Sequence, residues 1–163
     1  MTDGIIVISL FMLLLAAAPV VWVPADVGVQ GGMRREALAA HPLATMMQVE
    51  HHGLIAYGVA HPGASGTIPA SSLNLAAPYG TNSTWIVTVI GPTAAGTLAV
   101  TYFTGATFLP GSVVSALADV NSYAQDIGLT TAGGLASPWG TLTPLPAGVP
   151  LGVPAITDLV PSN

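Results

Sequence analysis

The chain has 163 residues, enough for one domain with a core and too few for two ordinary ones. Its seven carboxylates face only two cations, Arg34 and Arg35, for a net charge of −5; this excludes phosphate-backbone binding to nucleic acid, which needs clustered cations. With 52% apolar and 6% charged residues and no cysteine, it lacks disulfides and thiolate metal sites, and so bare a surface calls for cover by lipid or partner subunits.

In chain order, the first element is Gly4–Val23, GIIVISLFMLLLAAAPVVWV, which carries no charge. At about 1.5 Å rise per residue it would span roughly 30 Å as a helix, the thickness of a hydrocarbon core. Ile5, Ile6, Leu10, Leu13 and Leu14 lie along it, and Trp22 falls at its far end, where an interfacial aromatic would sit. A cleaved signal peptide would want a basic start, whereas this one has Asp3, and Pro19 directly follows the small run Ala16–Ala18. A buried core helix would be unusually long and uniformly apolar. The expectation is therefore a transmembrane anchor over residues 1–24, kinked or ended by Pro19 and Pro24. Gly28, Gly31 and Gly32 predict a flexible joint over residues 25–32.

From Met33 a globular head is expected through residue 163. Leu38, Leu43, Met46, Met47, Leu54, Ile55 and Tyr57 recur at three- and four-residue spacing, predicting an amphipathic helix interrupted near Pro42 and ending before His61-Pro62-Gly63. Ser71–Leu75 reads as a brief helix or extended arm. Thr84–Ile90 and Thr97–Phe103 are rich in β-branched and aromatic residues, and Gly91–Gly96 joins them as an antiparallel hairpin. Ser112 caps a second helix to about Gln125, with Val113, Val114, Leu117 and Val120 inward. From about residue 128 the chain turns irregular and rich in Gly and Pro, with one or two edge strands, the last near Ala155–Val160. The fold class is α+β: a transmembrane helix continuing into a long amphipathic helix packed on a small antiparallel sheet, as in a pilin.

Chemistry-bearing residues are few. Glu50-His51-His52 is a local cluster, but neighbours on a helix point about 100° apart and share a metal badly. It reads as a polar helix face, with a pH-sensitive contact as the sharper reading. Gly63-Ala64-Ser65-Gly66 lacks nucleophile-elbow spacing, and Gly133-Gly134 has no lysine after it to hold phosphate. Asn82-Ser83-Thr84 is formally a glycosylation sequon. No catalytic, cofactor or metal site emerges, and no enzyme is expected.

The run Ala56-Tyr57-Gly58-Val59-Ala60-His61-Pro62-Gly63-Ala64-Ser65-Gly66-Thr67-Ile68-Pro69 resembles the segment that closes the long helix in the PilM family of small single-pass proteins encoded with type IVb and conjugative thin pili. The similarity continues through Leu73, Leu75, the Trp85-bearing strand and Leu98–Phe103, and ends at Gly134-Leu135-Ala136-Ser137-Pro138-Trp139-Gly140 and Pro146 to Pro150. The resemblance implies a non-enzymatic, membrane-anchored accessory component of pilus biogenesis. Its partners would be inner-membrane lipid and pilin or pilus-machinery proteins, in a homo- or hetero-oligomer. It would be a single-pass inner-membrane protein with its head in the periplasm, against the weak opposite bias of Arg34 and Arg35. The other reading is a structural subunit of an extracellular filament, polymerised through the apolar helix. Ile5 stands where pilins bury a glutamate, which favours the accessory role.

Overall fold

A computed structural model describes residues 24–79, 84–120 and 126–161. The chain divides into two compact units, Met1–Arg35 and Glu36–Asn163. In the first, the described residues form the beginning of helix α1 (Pro24–Ala60). The packing that follows belongs to the second. Its further elements are β1 (Gly66–Ile68), a 3-10 turn (Ala70–Ser72), β2 (Ile86–Thr93), β3 (Gly96–Phe103), α2 (Pro110–Val120), β4 (Ile127–Thr131), β5 (Gly134–Ala136), β6 (Leu142–Thr143) and β7 (Pro154–Leu159).

The strands form a seven-stranded sheet in the order β1-β2-β3-β7-β4-β5-β6, and all of its pairings are antiparallel. The expected hairpin is present, with a tighter connection than Gly91–Gly96: Thr93 pairs with Gly96, whose positive φ suits the turn. Strand alternation then sorts side chains onto two faces. On one, Ile86, Phe103, Ile127 and Ile156 pack with Ala40, Ala44 and Met47 of α1 and Val113, Val114 and Leu117 of α2. Farther along, Leu54 of α1 meets Ile90 and Ala99. On the other, Val89, Leu98, Val100 and Tyr102 are covered by Leu145, Val149 and Val153 from the segment between β6 and β7. Both faces of β3 are therefore buried, and the sheet is the middle layer.

Several expectations are corrected. Among the described residues no helix is long and apolar enough to cross a membrane. Helix α1 is long, but it carries Arg34, Arg35, Glu36, Glu50 and three histidines, which a bilayer core would reject. The fold class of a transmembrane helix leading into a small sheet is replaced by a seven-stranded antiparallel sheet with two described helices on it. The single-pass inner-membrane location with a periplasmic head loses its support with it. The anchor residues Ile5, Ile6, Leu10, Leu13, Leu14 and Trp22, and the kink at Pro19, lie outside the described residues. Pro24 opens the described helix, where a proline's missing N–H costs nothing, and Gly28, Gly31 and Gly32 lie within that helix.

Pro42 does not interrupt α1 either. It sits on the exposed side, where water reaches the carbonyl that loses its amide partner. The Gly- and Pro-rich C-terminal part forms four strands, and β7, expected at an edge, lies between β3 and β4 at the centre. Helix α2 starts at Pro110, so Ser112 is a buried residue inside it, not its cap. The carbonyl of Leu109 accepts from the amides of Ser112 and Val113. The amide of Leu109 in turn donates to Glu36 Oε1 at 2.8 Å, which ties α2 to α1.

Candidate functional site

The face that α1 turns to the sheet is a narrow seam. Ala37, Ala40, Ala44, Met47, His51, Leu54 and Gly58 are buried at alternating three- and four-residue steps, with Glu50 buried beside them. Small residues let the helix approach closely. A Cβ on Gly58 would lie 3.0 Å from Val160 Cγ1, and one on Gly53 would meet Leu75 Cδ2 at 2.5 Å. Leu38, a member of the expected apolar stripe, is 57% exposed.

Two of the seam's residues are titratable. Glu50 and His51 are 1% and 2% exposed, which overturns their reading as a polar helix face; His52 does point outward. His51 Nδ1 lies 3.1 Å from Thr101 Oγ1 on β3, an arrangement that either ring tautomer permits. Its Nε2 lies 3.7 Å from Asp158 Oδ2 on β7, too far for a hydrogen bond, and has no hydrogen-bond partner. Glu50 Oε1 likewise has none.

Electrostatics follow from this enclosure. Burial alone raises the Glu50 carboxyl from 4.5 to about 7. Burial lowers His51 below 6.5; Asp158 opposes that shift, His52 adds to it, and Asp126 opposes it more weakly. Asp126, just before β4, is itself raised, by burial first and by Asp158 next, against a hydrogen bond from Thr143 and the pull of His51. The cluster is thus an enclosed polar bridge between α1 and the sheet. Among the described residues no three His, Asp or Glu side chains converge as metal ligands would.

A cavity of about 600 Å³ opens elsewhere, at the end of α1, between His61-Pro62-Gly63, the β2–β3 turn and Leu159–Pro161. His61 is its only titratable lining residue among those described. That ring is fixed: Nδ1 donates to the carbonyl of Tyr57 at 2.9 Å, and the two rings stack at 4.1 Å between centroids. Thr97 carries the other polar side chain among its described lining residues.

The segments that carried the family resemblance form turns. Gly63 and Gly66 adopt positive φ where α1 gives way to β1, and the Ala64 amide closes the bend on the His61 carbonyl. Gly134 and Gly140 do the same around β5, where the Ser137 amide donates to Thr141 and that of Gly140 to Ser137. Of the sequon, only Thr84 is among the described residues.

Asp158 and Thr101 were not singled out from the sequence. A signal for the first was available: in Ala155–Val160, alternation sets Asp158 on the same face as Ile156 and Val160. A lone carboxylate on a core-facing strand position asks for a partner. Compared with known proteins, the chain matches the family model described as PilM over residues 16–157. No curated protein and no solved structure matches it.

Proposed function

Because the chain belongs to the PilM family, we propose that it serves type IVb or conjugative thin pili as an accessory protein that acts by protein–protein contacts and not by catalysis. The family match supplies the pilus-related accessory role. The single observation that carries the contact-based reading is where the polar chemistry lies. Glu50 and His51, two titratable groups whose protonation burial shifts, are sealed inside the fold, out of reach of any substrate. The large apolar side chains Trp139, Leu142 and Leu151, by contrast, stand 57%, 58% and 65% exposed, Leu142 on β6 and the other two in the connections on either side of it. An exposed Trp is a typical anchor of protein interfaces, and apolar neighbours help to exclude water around it. Partners among the pilus machinery would cover them, and with 6% charged residues the surface offers little else for recognition.

Site-specific photo-crosslinking in the host cell tests this. A photoreactive residue at position 139 or 151 should give covalent adducts with pilus-machinery proteins, whereas one at Thr45, on the outer side of α1, should give few. Adducts confined to unrelated proteins, or none at either position, would overturn the proposal.

A further inference from the structure

Glu50 and His51 are consecutive on α1, and both are buried, His51 against Thr101 of the sheet. Glu50 Oε1 and His51 Nε2 both lack a hydrogen-bond partner. The carboxylate nearest the imidazole, Asp158, stands 3.7 Å off with its own side chain 58% exposed, so water screens it. The surrounding ionisable groups are few. On α1 itself His52 points outward, Asp126 precedes β4, and Asp158 is on β7. Strand β3 offers no ionisable side chain on this face, only hydroxyls, with that of Thr101 at His51, and Asp119 of α2 is turned to His41 at 3.4 Å. Enclosing a charge without a hydrogen-bonded counter-charge costs far more than enclosing the neutral form.

We propose that Glu50 is held as a carboxylic acid and His51 as a neutral imidazole, and that this acid–base pair keeps the docking of α1 on the sheet independent of pH through the mildly acidic range. The signs follow from linkage. Glu50 is raised from 4.5 to about 7, so over that interval unfolding releases its proton and its contribution to stability falls as pH rises. His51 is lowered from 6.5, so below 6.5 unfolding lets it take up a proton and its contribution falls as pH drops. Where the two intervals overlap, the proton released by one matches the proton taken up by the other. The pair then contributes no net pH dependence, although each member alone would contribute a steep one.

Urea unfolding of the full chain from about pH 5 to about pH 8 tests this with Glu50→Gln, His51→Gln and the double variant. The ratio of the wild-type unfolding constant to that of Glu50→Gln should rise by about tenfold per pH unit towards pH 7. The corresponding ratio for His51→Gln should rise as pH falls below 6.5. The ratio for the double variant should stay flat below 6.5. Single-variant ratios that ignore pH, or slopes of opposite sign, would overturn the proposal. Should His51→Gln not fold, the ring ¹⁵N shifts of His51 in the wild-type chain decide at pH 6: a neutral ring is expected, and an imidazolium would refute it.

Discussion

Gly91 of β2 lies directly beneath Pro146: a Cβ on residue 91 would stand 2.7 Å from the Cβ of that proline. The segment between β6 and β7 is therefore seated on the sheet through a position that only glycine fills without displacement. Gly91→Ala should destabilise the chain by about 1–3 kcal/mol through overpacking. In a thermal melt of a domain this size, that is roughly 2–4 °C per kcal/mol. Combining it with Pro146→Gly should cost less than the sum of the two single changes, because the second removes the clash created by the first.

Thr130 of β4 ties the other end of the same layer. Its hydroxyl donates to the Pro150 carbonyl at 2.6 Å and accepts from the Val153 amide at 3.0 Å. Its backbone bonds Val153 and Gly152 as well. Thr130→Val keeps the shape and removes both hydroxyl bonds, so it should cost about 1–3 kcal/mol. Hydrogen exchange should show the amides of residues 152 and 153 losing protection, while those of β2 and β3 keep theirs.

Gly111 occupies the first turn of α2, and a Cβ there would meet nothing within 4 Å. Gly111→Ala should raise stability by about 0.5–1 kcal/mol by restricting the unfolded chain and favouring helix. Chemical denaturation should show a higher midpoint with an unchanged slope.

Ala44 and Leu38 identify which stripe of α1 is the core. Ala44 is completely buried, and Leu38 is largely exposed. Ala44→Leu should therefore cost about 1–3 kcal/mol or more, whereas Leu38→Ala should stay within about 0.5 kcal/mol of wild type. Thermal melts of the two variants side by side would reverse that order if the large apolar residues formed the seam.

That contrast explains what could be read from the sequence. The β2–β3 hairpin was legible because Thr84–Ile90 and Thr97–Phe103 announce themselves by β-branched composition. Helix α1 was legible as an amphipathic helix, and Met47 and Leu54 of its buried seam with it, but the small residues of the seam were not. Those are Ala37, Ala40, Ala44 and Gly58, whose value is closeness and not hydrophobicity. Large side chains point to Leu38 instead, which is 57% exposed. Strands β4 to β6 are only two to five residues long, so no period accumulates, and pairing shows them as sheet: β4 with β7, β5 with β4 and β6 with β5. Of the polar cluster, Glu50 and His51 were legible as neighbours. Their burial depended on Thr101 and Asp158 arriving from 50 residues or more away. The family resemblance was carried by turn glycines, whose positive φ explains why the motif has that form.

Pilus number in host cells tests the functional reading most directly. The gene would be deleted and replaced by wild type, by His51→Gln protein shown to be folded, or by Trp139→Asp protein. Loss of pili on deletion, rescue by wild type and by His51→Gln, and failure of Trp139→Asp are the results expected of an accessory protein that works through its surface. Undiminished pili on deletion would contradict the pilus role, and a folded His51→Gln protein that fails to restore them would contradict a purely architectural cluster.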